Sequence, residues 1–479
     1  MGLARIKTKP LPGPRHPGKG QPERIQKLKT ILTVHKQAEL CNPPAEIREK
    51  IKQVCTLPNP DFVQAEKYGR WTGGIEPELF FYEETGDSIT FLRGYARQVA
   101  SQLKQAGVGF AIEDRRRELE PLPLEFRGKL RDYQQAAVDA AMQRDHGTIE
   151  APTGSGKTAM ALYLIARRRQ PALVLVHNLE LAHQWIERAR QFLGIEAGLC
   201  GDSRREIRQL TIATHQTARK HLGELPRHFG FLVADEVHRA PALSYSEVIQ
   251  AFDARYLLGL TATGYRRDGL GRLIYLLMGD RVYKVDRGAL ERSGAIVRPE
   301  VVTRETSFEY FYNDDYPAMI EALTLDQARN RQIVDDIKQS TNGGAALIVS
   351  DRINHLEALA GMLNADRQAI LTGRTPKAER QAIVDDLGRG EIKVLFSTMA
   401  LISEGFDCPG LSTLFIASPI KFKGRLIQTV GRILRPAEGK QAVIYDYQDT
   451  NQPVLAAAAR ARTWALAEIA GRNPADGGR

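Results

Sequence analysis

Two long stretches of the chain repeat one pattern: a strand-length run that is largely apolar, followed by a longer segment with helical spacing. In the first stretch, from about Leu130, the runs are Thr148–Glu150, Ala172–His177, Thr211–Ala213, Phe231–Ala234 and Leu257–Leu260. In the second they are Ala345–Val349, Ala369–Leu371, Val394–Phe396, Thr413–Ile416 and Ala442–Asp446, entered through Asn342-Gly343-Gly344. A strand with no polar face must be covered on both sides, so each series predicts a parallel sheet sandwiched between helices. Two such sheets in tandem leave a cleft between them.

The front of the chain reads differently. Thr30–Lys36 predicts a short strand, and Ala45–Val54, entered by Pro43-Pro44, predicts a helix. Asn59-Pro60 and Gly73-Gly74 break the chain. Glu78–Glu84 and Ser88–Leu92, joined by Thr-Gly-Asp, form a hairpin pattern. Tyr95–Gln105 sets Ala96, Val99, Ala100 and Leu103 on one helical face, and Val108–Ile112 returns as a strand. The charged run Glu113–Glu120 then serves as a linker. The expected organisation is a basic tail at 1–22, a small α/β accessory domain at 23–120, and two parallel-sheet domains at 121–297 and 298–479.

Length supports this division, because 479 residues exceed what one compact core accommodates. The net charge of +10 is concentrated at the front, where residues 1–56 hold 12 Lys/Arg against 4 Asp/Glu. A basic arm suits a polyanionic partner, although its prolines (Pro10, Pro12, Pro14, Pro17) also suit a solvated tail. The four cysteines are scattered with no C-x-x-C pair, which argues for reduced thiols rather than a zinc site or a disulfide framework. No apolar run approaches the ~20 residues of a membrane span, and no apolar segment follows the basic N-terminus as a secretory leader would require. A cytoplasmic protein, of a bacterial or phage-infected cell, is expected.

Three motifs carry chemistry. Thr148–Glu150 runs into Ala151-Pro152-Thr153-Gly154-Ser155-Gly156-Lys157-Thr158, a strand, glycine loop and helix start. Gly154 and Gly156, with Thr153 and Ser155 between and beside them, let backbone amides close around phosphate oxygens. Lys157 would reach the β- and γ-phosphates of ATP, and Thr158 would offer a hydroxyl to Mg²⁺. Ala151 stands where the strict motif has Gly. Asp235-Glu236-Val237-His238 ends the apolar run Phe231–Ala234, the edge at which open α/β sheets bind ligands. There Asp235 can hold Mg²⁺ and Glu236 can polarise a water. Arg432 and Arg435, three apart within Gln428–Arg435, share one helical face and could bring guanidiniums to the γ-phosphate from the second domain.

With these motifs in series, the chain resembles superfamily 2 helicases of the DExH type over about residues 127–450, a family of two tandem RecA-like domains. The resemblance makes Gln134, in Leu130-Arg131-Asp132-Tyr133-Gln134, a reader of the adenine edge. It makes Leu173–Trp185 and Thr214-His215-Gln216-Thr217 strand-binding segments, with Thr214 in contact with nucleic acid. Leu258–Gly269, with Gly264 where relatives carry Pro, matches the coupling motif and implies coupling roles for His238, Thr261 and Thr263. In Ser397–Pro409, Thr398 would touch nucleic acid and Asp407 the ribose or the interdomain network, while Gln428 joins the nucleotide site. The spelling is most similar to XPB-, UvsW- and phage-type DNA helicases, which implies 3′ to 5′ movement. In the front module, Asn59–Phe62, Gly69–Gly74 and Leu92-Arg93-Gly94 look like the front ends of phage-type helicases. There Tyr68, Arg70, Trp71 and Arg93 could offer stacking and charge to an unpaired base, unless Trp71 and Phe62 pack the module's core.

The reading is an ATP-dependent DNA helicase that takes ATP and Mg²⁺ and acts on single-stranded, forked or branched DNA. RNA remains an alternative substrate, since the motifs do not distinguish the sugar. A DNA-binding scaffold with a vestigial ATPase is disfavoured by the presence of every catalytic residue. No membrane partner is expected, and oligomeric state is open.

Overall fold

The computed structural model describes residues 30–238, 242–262, 269–340, 344–403, 410–419, 429–430 and 441–471. The tail at 1–22 lies outside them, as do Thr263, Asp407, Gln428, Arg432 and Arg435.

The front module runs β1 (Thr30–Val34), β2 (Ala38–Cys41), α1 (Ala45–Cys55), β3 (Thr56–Pro58), α2 (Pro60–Lys67), β4 (Glu78–Phe80), β5 (Tyr82–Thr85), β6 (Ser88–Phe91), α3 (Ala96–Gln105) and β7 (Phe110–Asp114). Its main sheet has the order β5-β6-β2-β1-β7, with β5 and β6 paired as the expected antiparallel hairpin. Asn59-Pro60 does not break the chain. The Asn59 side chain accepts a hydrogen bond from the Asp61 amide and Pro60 takes the first turn, so the pair starts α2.

The first large sheet follows, with α4 (Asp132–Met142), β8 (His146–Glu150), α5 (Lys157–Arg168), β9 (Ala172–Val176), α6 (Leu179–Leu193), β10 (Gly198–Gly201), β11 (Arg204–Arg205), β12 (Leu210–Thr214), α7 (His215–Lys220), β13 (Phe231–Ala234), α8 (Ala242–Ala251), β14 (Tyr256–Thr261), α9 (Gly271–Met278), β15 (Arg281–Lys284) and α10 (Arg287–Arg292). Strand order is β11-β10-β12-β9-β13-β14-β8-β15, parallel except for β10–β11. The apolar runs are buried on both faces, as expected. In β9, Ala172, Val174 and Val176 join one core while Leu173 and Leu175 join the other.

The second large sheet comprises β16 (Pro299–Glu305), α11 (Tyr316–Leu325), α12 (Gln327–Gln339), β17 (Ala345–Val349), α13 (Ile353–Leu363), β18 (Gln368–Leu371), α14 (Lys377–Arg389), β19 (Val394–Ser397), α15 (Met399–Ser403), β20 (Leu411–Ile416), β21 (Ala442–Gln448) and α16 (Pro453–Ile469). It is wholly parallel, in the order β16-β21-β20-β17-β19-β18. The fold is therefore α/β, with two tandem RecA-like sheets and a small accessory module.

The charged run Glu113–Glu120 is more than a tether. Arg116 bridges Asp114 at 2.6 Å and Asp145 at 2.8 Å, and Arg117 forks onto Asp253 at 2.8 and 2.9 Å. Gly94 lies so close to the carbonyls of Tyr275 and Leu276 on α9 that no side chain would fit. The accessory core is thereby continuous with one face of the first large sheet.

On α13, the fully buried His355 makes hydrogen bonds with Ser350 (3.1 Å) and with Asn330 of α12 (2.9 Å). Burial, followed by the charge of Arg329, pushes its imidazole down to about 3. A histidine whose folded value lies below its unfolded one is protonated preferentially in the unfolded chain. Its neutral form stabilises the fold above pH ~6.5, and that contribution is lost as pH falls towards 3, by about 3 kcal/mol at pH 4. His355→Gln, which cannot titrate, is expected to lose less of its urea midpoint between pH 7 and pH 4.5 than the unaltered chain. Equal losses would contradict this assignment.

Candidate nucleotide site

The glycine loop joins β8 to α5 at the carboxyl edge of the first large sheet. Gly154 and Gly156 have φ of +86° and +79°, which L-residues rarely adopt. A side chain at Gly156 would also run into the amide of Gln134. Gly156 caps α5 in a left-handed conformation, so Lys157 and Thr158 open the helix and amides of the first turn face outward. Ala151, at the relaxed position, is fully buried and its amide donates to the Thr261 carbonyl at 2.8 Å. The loop is supported from beneath by Tyr133, whose hydroxyl donates to the Ser155 carbonyl at 3.0 Å. Gln134 donates to the same oxygen at 2.9 Å and accepts from the Arg131 amide. Gln134 thus stands at the loop with both ends of its amide engaged.

Across from the loop, β13 delivers Asp235 and Glu236. Lys157 Nζ lies 3.3 Å from Glu236 Oε1 and also donates to the Ala151 carbonyl at 3.2 Å. Asp235 is held on both oxygens, by Trp185 Nε1 at 2.8 Å and by the Glu236 amide at 2.9 Å. Burial, with Glu236 adjacent, pushes its carboxyl up to about 6. Glu236 has φ of +46°, an uncommon value for a side-chain-bearing residue. It is fixed there by its neighbours: the Asp235 amide donates to the Leu175 carbonyl and the Val237 amide to the Leu260 carbonyl. His238 Nδ1 lies 2.8 Å from Thr261 Oγ1 and 3.3 Å from Glu236 Oε2, which links the end of β13 to the end of β14.

The glycine loop, Gln134, Trp185, Asp235 and Glu236 line a cavity of about 750 Å³ that also includes Lys129, Arg131 and Arg188, cations suited to a polyphosphate. Its residues fit a nucleotide with a divalent cation. The left-handed glycines form a cradle, and the buried hydroxyls of Thr153 and Ser155 have no hydrogen-bond partner among the described residues. Thr158, Asp235 and their oxygens form a donor set of the kind a hard cation takes.

Among the other sequence-derived positions, Thr214 ends β12 and caps α7, its hydroxyl 3.0 Å from that of Thr217. Thr398 follows β19, half-buried, at the entrance to α15. Thr429 donates to the sulfur of Met399 on α15 at 2.8 Å. Trp71 is 83% exposed, which excludes the core-packing alternative for that ring. Gly73 lies beneath the indole, where a Cβ would collide with it, so the backbone supports the ring. Arg70 lies 5.7 Å from the centre of the Tyr68 ring. The role of Trp185 as a holder of Asp235 was not visible in sequence, because the two are fifty residues apart on different elements.

Residues 127–266 match the family described as the res subunit of type III restriction enzymes, and residues 328–437 match the helicase conserved C-terminal domain. The chain is 27% identical over 368 residues to the DNA 3′-5′ translocase XPB2 of Sulfurisphaera tokodaii, covering 68% of this chain and 83% of the relative. It is 30% identical over 347 residues to the DNA 3′-5′ helicase XPB of Mycobacterium tuberculosis, covering 68% of this chain and 62% of that protein. The chain belongs to the superfamily 2 helicases related to XPB. The protein described as "Probable helicase D10" of Escherichia phage T5 is 27% identical over 347 residues, covering 71% of this chain and 75% of its own length. A fragment of an HsdR-type subunit of a type I restriction enzyme from Vibrio vulnificus shares the fold, with a TM-score of 0.54, 20% identity, and coverage of 69% of this chain and 66% of that one. As a superfamily 2 member, the chain is a nucleic-acid-dependent ATPase of the helicase type. None of its described helices is long and apolar enough to cross a membrane.

Proposed function

We propose that this helicase uses ATP and Mg²⁺ to move 3′ to 5′ along one DNA strand and to open forked or branched duplexes. The observation that carries this reading is the convergence of Lys157, Asp235 and Glu236 at the edge of one parallel sheet, beside a cradle shaped for phosphates. The similarity to two XPB proteins described as a DNA 3′-5′ translocase and a DNA 3′-5′ helicase supports DNA and the direction. We assign the accessory domain to 23–120 and the motor domains to 121–297 and 298–479, at work in the cytoplasm of a bacterial or phage-infected cell.

In this reading the backbone amides of Gly154–Thr158 and the Lys157 ammonium grip the triphosphate. Glu236, oriented by its fixed backbone, accepts the proton of the attacking water and is poised by its pairing with Lys157 until substrate enters. Thr158 and Asp235 would hold Mg²⁺, which supplies charge neutralisation at the phosphate oxygens. Trp185 keeps the Asp235 carboxylate aimed. His238 and Thr261 tie Glu236 to β14 and, with Thr263, couple turnover to strand movement. Thr214 and Thr398 meet the nucleic-acid backbone, one from each lobe. Gln134 reads the adenine after releasing the loop, Asp407 and Gln428 complete the site, and Arg432 and Arg435 complement the γ-phosphate charge when the lobes close.

The accessory module contributes Trp71. Arg70 and Lys67, which lie against the Tyr68 ring beside its loop, add positive charge to its stacking face. The deciding experiment is ATP-dependent unwinding of 3′-tailed, 5′-tailed, forked and four-way DNA, with an RNA duplex as comparison. Opening of 3′-tailed and forked DNA is expected; equal opening of 5′-tailed DNA, or opening of RNA alone, would overturn the reading. On the fork, Trp71→Ala is expected to lose about 1–3 kcal/mol of binding to unpaired bases, seen as weaker fork affinity with ATPase on plain single strands retained. Unchanged fork affinity would remove Trp71 from the interface.

A further inference from the structure

Tyr245 on α8 belongs to none of the nucleotide-binding motifs, yet it is 4% exposed and sits among them. Its ring meets His215 edge-on, centroids 6.2 Å apart at 64°. His215 in turn lies 6.4 Å from His177. These histidines directly follow β12–Thr214 and β9, the strand ends that open the two segments assigned to nucleic acid. Tyr245 also packs in the same core cluster as Ala234 and Val237, the residues on either side of Asp235-Glu236. Burial, then the charges of Asp235 and Glu236, pushes its hydroxyl well above its usual range. That hydroxyl has no hydrogen-bond partner among the described residues. A buried hydroxyl left without a partner destabilises the state that holds it, a cost removed in any state that brings a carboxylate within reach.

We infer that Tyr245 is a positioning residue that transmits occupancy of the Thr214–Thr217 segment to the Asp235–Glu236 pair. Nucleic acid seated on that segment fixes His215, and His215 sets the Tyr245 ring. The Tyr245 hydroxyl then donates a hydrogen bond to the carboxylate pair and holds it in the hydrolytic arrangement. Without nucleic acid the ring is not set, and turnover is slow. The inference rests on the proposed function, because it needs nucleic acid to stimulate hydrolysis.

The test uses the full chain and compares ATP turnover with and without saturating oligo-dT, alongside oligo-dT affinity and the KM for ATP. Tyr245→Phe keeps the ring against His215 and removes only the hydroxyl. Its stimulation ratio is expected to fall about 10-fold, while oligo-dT affinity and KM stay within about twofold. His215→Gln is expected to lower the ratio as well, and the double variant no further than the lower single, since both act on one route. The melting temperature of Tyr245→Phe is compared with that of the unaltered chain, and a lost stimulation ratio counts for the inference only where the two agree within about 2 °C. If Tyr245→Phe keeps full stimulation, or lowers both rates in proportion, the inference is overturned. If the unaltered chain is not stimulated by any nucleic acid, the proposed function itself has failed, a result distinct from the first.

Discussion

Glu236→Gln is expected to bind ATP and DNA as the unaltered chain does and to turn ATP over about 10²–10⁴-fold more slowly. The amide has the same shape and keeps the left-handed backbone at 236, which is fixed by main-chain hydrogen bonds on either side rather than by the side chain. It cannot accept a proton from water, however, and it no longer pairs ionically with Lys157. The loss should therefore fall on kcat. A fluorescent-nucleotide titration beside a steady-state phosphate-release assay separates the two effects, and unchanged turnover would remove Glu236 from the reaction.

Arg435→Ala probes the opposite lobe. Its guanidinium is assigned to charge that develops at the γ-phosphate during cleavage, so its removal should cost little in ground-state affinity and about 10³–10⁵ in rate. The contrast with Lys157 is informative. Lys157 already touches the glycine-loop strand and Glu236 within one lobe, and its replacement should weaken nucleotide binding itself. Weakened nucleotide binding with normal turnover in Arg435→Ala would place this arginine outside the reaction.

The parts of the fold that were legible in the sequence are those whose burial is two-sided. β9, β12, β13, β14, β17 and β20 are apolar at nearly every position because helices cover both faces, and each was located to within a residue or two. The missed strands have little such signature. β15 (Arg281–Lys284) and β16 (Pro299–Glu305) lie at sheet edges with charged, half-exposed residues, and β10 is built on Gly-Leu-Cys-Gly. α2 was hidden because Pro60 reads as a breaker until Asn59 is seen capping the helix. At the site, the local motifs were readable because a phosphate cradle needs glycines and a lysine at fixed spacing. The bonds that aim those motifs are not local. Trp185 to Asp235, Tyr133 to Ser155 and His238 to Thr261 join residues from different elements, and nothing in the spacing announces them. Trp71 was ambiguous for a similar reason: an aromatic beside glycines fits a core or a platform, and exposure alone separates the two.

The central claim is that nucleotide held by Lys157, Asp235 and Glu236 closes one lobe on the other. It is tested most directly by energy transfer between one dye on α6 of the first lobe and one on α14 of the second, followed through a single ATP turnover on DNA. The account predicts that the lobes approach when ATP and DNA are both bound, separate after hydrolysis, and remain together in Glu236→Gln. An interlobe distance indifferent to nucleotide would contradict it.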